Sequence, residues 1–428
     1  MKVAVIGAGY AGMAAAVTLA DHGIPVTVFE AARLPGGRAR RVEAHGLALD
    51  NGLHILIGAY RETLRLIERI HPAGKRALMR LPLDWVIHRQ FRLRSAALPA
   101  PWHLVVGLLR AQGISFTERL GALRFMLRMR FARFRLAGDL TVDELLDRFD
   151  QSARVRRVLW HPLCVAALNT PPRRASARVF LRVLRDTLGA GRDQCDLILA
   201  RTDLSALFPE PAASYVAARG GSVRTGCRVT AIEVCDGGFS VAAEGRQDVF
   251  THVVCALPAH QINAFLIGIS ALAEIVEIVE RLTFQPIYSV YLGYPRSVRL
   301  TAPMLGFDSA LVHWAFDREA LCGQAGVIGA VISAEGPHQQ LAQDELARAV
   351  HEELQRHLGP LPAPSWTQVI AEKRATFSCT PGLARPPQRT PLRNFLLAGD
   401  YTESDYPATL EAAVRSGINA ANIVLGKA

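Results

Sequence analysis

The sequence predicts an α/β fold in which a Rossmann-like nucleotide-binding domain, assembled from separated stretches of chain, is interleaved with an α+β substrate domain. Three observations predict it. Residues 3–12, VAVIGAGYAG, are an apolar strand running into a glycine turn. Residues 396–417, LLAGDYTESDYPATLEAAVRSG, are a second strand, an acidic turn and a helix. Between them, 213–234 and 252–260 return to short buried strands after a long excursion, so the domains alternate along the chain with no linker between them.

In the first stretch Gly7, Gly9 and Gly12 fit G-x-G-x-x-G, with Ala8 and Ala11 the small residues of the same turn. One glycine makes the turn, one lets backbone approach a pyrophosphate, and one packs helix on strand. The phosphates then rest on the helix amino end. Glu30 closes the next strand, PVTVFE, where a carboxylate accepts from ribose hydroxyls; an acid there disfavours a ribose phosphate and hence NADP. The following AARLPGGRAR places Gly37 and Arg38 in reach of the same phosphates, where a plain NAD enzyme would begin another helix. At the far end Gly399 and Asp400 suit a ribityl chain or a phosphate-bound water. A helix from about Pro407, opening with Thr409, Leu410 and Glu411, aims free N–H groups at an electron-rich ring edge. The two halves together point to FAD.

With these motifs the chain resembles the amine oxidase and phytoene desaturase superfamily of FAD oxidoreductases over its whole length. Residues 52–60, GLHILIGAY, are similar to the plant-type carotene desaturase segment, as is AGDY with the downstream ATLEAAVRSG. The run WHPLCVAALNTPPRRASARVFLRVLRDTL, residues 160–188, looks more like the squalene-associated branch, the hydroxysqualene dehydroxylases of bacterial hopanoid pathways. The resemblance implies that 1–80, 196–258 and 390–428 build the FAD domain, and 81–195 with 259–389 the substrate domain. It further implies that Val229 backbone meets the adenine and that Gly52, Leu53 and His54 pass near the isoalloxazine. The activity implied is reductive dehydroxylation of hydroxysqualene to squalene by hydride from reduced flavin. A carotenoid desaturase of phytoene or zeta-carotene type is the alternative, and a non-enzymatic flavin-binding partner of a terpene synthase the third reading. A hydrophobic triterpenoid substrate and a functional association with squalene-synthase-like enzymes follow from the first.

Removal of a hydroxyl is helped by an acid, worth about 10²–10⁴ in rate. Asp50, His54 and Tyr60 flank the flavin-facing segment and are the catalytic candidates; Glu403 and Asp405 lie before the last helix. Each has a plainer reading: His54 as a satisfied structural histidine, Asp50 as a turn cap, Glu411 as a helix-end residue. Asn169 and Thr170 in ALNTPP are placed to orient a hydroxyl or simply to make a sharp turn.

The 428 residues, half of them hydrophobic, are enough for a large core and two intertwined domains. A strand beginning at Lys2 leaves no room for a secretory leader, so a cytoplasmic location is expected. Seven scattered cysteines without C-x-x-C predict buried free thiols and no metal site. Lys and Arg total 49 against 38 acids, a net charge of +11. Residues 101–135 hold Arg110, Arg119, Arg124, Arg128, Arg130, Arg133 and Arg135 against Glu118 alone, interleaved with large apolar residues at helical spacing. Such a stretch is either a peripheral, in-plane membrane element or a core helix with a solvated basic face. No nucleic-acid signature accompanies the charge. The best apolar run, INAFLIGISALA at 262–273, falls short of the roughly 18 residues needed to span a bilayer.

Overall fold

The computed structural model describes residues 1–188, 191–266 and 268–427. The fully buried strand Val3–Ile6 is the centre of a five-stranded parallel sheet. A strand covered on both faces reads as an unbroken aliphatic run, as this one does. Val26–Phe29 and then Ser222–Arg224 lie on one side, His252–Cys255 and then Phe395–Leu397 on the other. Val5 pairs with Val28 and Val254, and Val254 in turn with Leu396, so strands from both ends of the chain share one sheet.

The helix Tyr10–Ala20 is buried at nearly every position because the sheet covers one side and the C-terminal helix Leu410–Val424 another. The two helices touch backbone to backbone. A Cβ on Gly417 would lie 2.0 Å from the Ala11 carbonyl oxygen. A Cβ on Gly12 would lie 1.9 Å from the Gly7 oxygen, the helix-on-strand packing that the third glycine of the motif serves.

A seven-stranded, largely antiparallel sheet faces this domain, in the order Trp366–Phe377, Phe284–Gly293, Val327–Ser333, Trp314–Asp317, Met304–Gly306, Asp84–Ile87 and Phe91–Arg94. The stretch 81–195, assigned to the substrate domain, opens with a hairpin that extends the sheet; Phe91 and Leu93 turn inward while Arg92 and Arg94 turn out. Its helical part follows from Trp102 onward. Residues 101–135 form two helices, Trp102–Leu109 and Phe116–Phe131, broken where Gly113 (φ 87°) passes so close to Gln90 that a Cβ would sit 1.9 Å from its oxygen. The apolar run 262–273, of which Ile267 lies outside the described residues, is divided between helices Ala259–Leu266 and Ala273–Glu280. Among the described residues no helix is long and apolar enough to cross a membrane. The seven cysteines are free; Cys235 and Cys322 are only partly buried, the other five fully.

One side chain of the second sheet makes stability depend on pH. His313 Nδ1 accepts from the Ser333 N–H at 3.1 Å, and burial, with His338 nearby, pushes its pKa down to about 4. An imidazolium carries protons on both nitrogens, so charging this ring breaks that bond. As pH falls, the unfolded chain takes up the proton first, near pH ~6.5. The stabilisation is therefore complete above that pH and lost as pH falls toward 4. His313→Asn, which keeps an acceptor for Ser333 but cannot titrate, should lose about 2 kcal/mol less than the parent between pH 7 and pH 5. Urea midpoints at the two pH values measure it; equal losses would mean the ring is charged in the folded state.

Candidate active site

A cavity of about 560 Å³ lies between the two sheets, within the ~300–1,000 Å³ of small-molecule and cofactor sites. Gly7, Gly9 and Ala11 line it from the first turn, Val229 from the return segment, and Gly399, Thr409 and Leu410 from the C-terminal stretch. Gly7, at φ 106°, would bring a Cβ within 2.8 Å of the Ala256 oxygen, so the tight turn requires glycine. Gly9 differs. A Cβ there would meet nothing nearer than the Gly37 Cα at 3.9 Å, because Gly9 opens onto the cavity. It also N-caps the first helix without a side-chain cap bond, which leaves the first-turn N–H groups facing an anion-sized space.

Glu30 lines the cavity with both oxygens anchored: Oε2 accepts from Ala8 N and Oε1 from Ala32 N, each at 2.8 Å. Lone pairs remain on both for ribose hydroxyls. Arg38, expected to reach the phosphates, lines the cavity and is held there by two hydrogen bonds. Its Nη2 donates to Asp400 Oδ1 at 2.5 Å and its Nη1 to the Ala375 carbonyl at 2.6 Å, so it ties the two ends of the chain together across the cavity wall. Gly37 and Asp400 line the same wall. The C-terminal helix starts at Leu410 rather than near Pro407, because the Thr409 hydroxyl caps it by accepting from Ala412 N at 3.2 Å.

Three expected cofactor residues stand behind the wall. Ala8 acts through its amide on Glu30, and Gly12 packs on Gly7. Glu411, fully buried, accepts from Thr63 N, Thr63 Oγ1 and Arg415 Nε at 2.8–3.0 Å and so fastens the C-terminal helix to Arg61–Ile70.

The segment 52–60 does face the cavity, through Gly52, Leu53, His54 and Tyr60. His54 Nδ1 lies 2.7 Å from the Gly52 carbonyl oxygen and must be the protonated nitrogen, which leaves Nε2 an acceptor. Burial, with Arg38 adding to it, lowers its pKa and keeps the ring neutral. Burial and then Glu411 raise the pKa of Tyr60, so it stays a hydroxyl. Asp50 does not reach the cavity. Its Oδ1 accepts from Leu204 N at 2.8 Å and its Oδ2 pairs with Arg318 Nη1 at 3.1 Å; burial pushes the carboxyl up to about 6 against the pull of Arg318, which leaves it ionised at neutral pH. That carboxylate is structural, which corrects its candidacy as the acid. Glu403 and Asp405 are exposed outside the site, Asp405 paired with Arg182. Asn169 lines the cavity, its amide donating to Pro286 and Thr376 and accepting from Ala334, and Thr170 bonds Leu168 and Cys379.

Several lining residues went unread in the sequence. Asn51 donates to the Arg38 carbonyl and to Glu372 Oε2, a carboxylate brought in from the longest strand. His260 joins His54 as a second lining histidine with pKa lowered by burial. Tyr401 is 2% exposed, its hydroxyl has no partner among the described residues, and burial raises its pKa well above the usual value. A buried O–H of this kind is expected to bond whatever fills the cavity. Where the cavity meets the second sheet its walls are mostly apolar, through Leu53, Ile287, Trp314, Phe316 and Val331, with Ser333, Thr376 and the carboxylate of Glu372 among them. The open glycine, the free helix end and the anchored Glu30 fit the pyrophosphate and ribose of FAD; the orphaned Tyr401 hydroxyl and the apolar wall fit a flavin with a lipophilic substrate beyond it.

Comparison with known proteins agrees. The flavin containing amine oxidoreductase family matches residues 10–425. A hydroxysqualene dehydroxylase of Rhodopseudomonas palustris is 31% identical, covering 99% of this chain and 98% of its own. A zeta-carotene desaturase of Solanum lycopersicum is 24% identical over 97% of this chain and 79% of its own. Among solved structures, cyclohexylamine oxidase from Brevibacterium oxydans superposes with a TM-score of 0.71 at 19% identity, covering 100% and 99% of the two chains.

Proposed function

The chain belongs to the flavin containing amine oxidoreductase family and is an FAD-dependent oxidoreductase, and from that premise we propose that it reductively removes the hydroxyl of hydroxysqualene to give squalene. The supporting observation is the cavity itself, with a phosphate cradle on one side and a largely apolar wall of Leu53, Ile287, Trp314, Phe316 and Val331 on the other. The similarity to a hydroxysqualene dehydroxylase supports the same reading.

In this reaction a C–O bond breaks, a C–H bond forms, and the oxygen leaves as water with one proton added. Reduced FAD, when bound, supplies the hydride. Gly7, Gly9 and the first helical amides would hold the pyrophosphate, Glu30 the ribose, Val229 the adenine, and Gly399 with Asp400 the ribityl chain. Arg38 would act by fixing Asp400. Leu53, Ile287 and Val331 exclude water, and the aromatic side chains of Trp314 and Phe316 in the same wall would favour positive charge developing on an allylic carbon. Neutral His54 offers Nε2 as an acceptor for the substrate hydroxyl hydrogen and so orients the leaving oxygen rather than protonating it. The O–H groups of Tyr60 and Tyr401 are the neutral donors of the same cavity.

A carotenoid desaturase is the second reading. The relative from Solanum lycopersicum favours it, as does His54, since desaturation needs a proton acceptor. Anaerobic incubation of the reduced protein with hydroxysqualene, and of the oxidised protein with phytoene and zeta-carotene plus a quinone, separates them. Squalene from the first mixture alone is the expected result; desaturated carotenoid without squalene would reverse the order. For His54→Ala the expectation is a fall in turnover of about 10²-fold with FAD content within twofold of the parent. Parallel losses of colour and turnover would make His54 a purely structural residue.

A further inference from the structure

Ten large hydrophobic side chains are exposed among the described residues, and six of them, Leu98, Trp102, Phe116, Leu120, Leu127 and Phe131, fall in one short stretch. The helix Phe116–Phe131 turns Ala122, Phe125 and Met129 inward, where Phe125 packs edge-on against Phe149 and Trp160. Phe116, Leu120, Leu127 and Phe131 lie at i, i+4, i+11 and i+15. At about 100° per residue they make one stripe, on the side opposite Phe125. The helix is thus apolar on two faces and covered on one. The uncovered face is well exposed, Phe131 at 85%, Phe116 at 62% and, on the neighbouring helix, Trp102 at 59%.

Charge identifies what would cover it. Arg124 and Arg128 border the stripe, and Arg110, Arg133 and Arg135 stand beyond the helix ends, all exposed. Among the described residues no carboxylate lies within ion-pair distance of Arg110, Arg124, Arg133 or Arg135, and Arg128 sits over the Phe149 ring at 5.9 Å. A second copy of the chain, docked by a twofold axis, would bring these arginines against their own images. A nucleic-acid backbone would leave the apolar stripe unsatisfied. The geometry points to a bilayer surface with anionic headgroups: the stripe and Trp102 enter the headgroup–acyl boundary by roughly 5–10 Å while the arginines meet the phosphates. This face would bind lipid whatever reaction the cavity carries, so failure to bind leaves the dehydroxylase reading untouched.

The full-length, FAD-loaded protein should float with vesicles of phosphatidylcholine and phosphatidylglycerol, less so as salt rises, and weakly with phosphatidylcholine alone. Tryptophan emission should shift to the blue on binding, and Trp102→Phe should abolish the shift while flotation persists. The double variant Arg124→Glu/Arg128→Glu should weaken binding to the anionic vesicles at least about 100-fold, at about fivefold per unit of charge. The variant Phe116→Ser/Leu127→Ser/Phe131→Ser should release the protein from both vesicle types, with FAD content unchanged in either variant as the check on folding. Parent protein that ignores anionic vesicles would overturn the assignment, as would binding unaltered in both variants. A parent dimer that the serine variant converts to monomer would overturn it too, by assigning the face to a second copy.

Discussion

Replacing Gly9 with valine is expected to give a folded protein that purifies without colour. The position tolerates a Cβ as far as the polypeptide is concerned, since the nearest atom would be 3.9 Å away. What valine occupies is the space in front of the uncapped helix end. A pyrophosphate kept from that end loses at least two charge-assisted hydrogen bonds of about 1.5–3 kcal/mol each, so FAD affinity should fall roughly 10³-fold or more. Gly7 and Gly12 provide the contrast. Each would force a Cβ into backbone, within 2.8 Å and 1.9 Å, so alanine there should cost folding itself. Flavin absorbance per protein and the circular dichroism of the Gly9 variant settle the matter; a yellow, fully loaded protein would put the pyrophosphate elsewhere.

Arg318→Met is expected to destabilise the protein by about 3–5 kcal/mol, the cost of stranding one partner of a buried ion pair. Asp50 is the junction of four elements. Its carboxylate joins Arg318 and the amide of Leu204, and its backbone exchanges hydrogen bonds with the Tyr291 hydroxyl at 2.9 and 3.2 Å. Arg318 is 3% exposed and Asp50 likewise, so water cannot replace the lost partner. The double variant Asp50→Leu/Arg318→Met should recover most of the loss, because no charge is then left buried alone. Urea midpoints of the three apoproteins test this, and a single variant as stable as the parent would show that the pair is not ionised.

The nucleotide half of the fold was legible because its signals are local. A buried parallel strand is a continuous apolar run, a phosphate turn needs glycines at fixed spacing, and Glu30 follows at the end of the next strand. What stayed hidden depends on pairing across the chain. The hairpin Asp84–Arg94 escaped because its strands have four residues each and the second alternates with arginines, too short to separate from a polar helix turn. Glu372 carries no motif, and Tyr401, though it ends AGDY, had no role assigned to it; each becomes a cavity residue only when its strand or turn docks near Arg38. Asp50 misled for the converse reason, since its neighbours Gly52 and His54 face the cavity while its own side chain turns to Arg318, 268 residues away in sequence. Arg38 was placed on the right wall, but its actual partner is Asp400, at the opposite end of the chain.

We propose that this FAD enzyme runs reductively on an alcohol. The most direct test is a single turnover under anaerobic conditions. Protein photoreduced to completion and freed of excess reductant is mixed with one equivalent of hydroxysqualene, and the oxidised-flavin band and the squalene formed are followed together. One squalene for each flavin reoxidised, at the same rate, is the expected result. Flavin that stays reduced while the alcohol is recovered intact, in a protein whose oxidised form is instead bleached by a carotene, would contradict it.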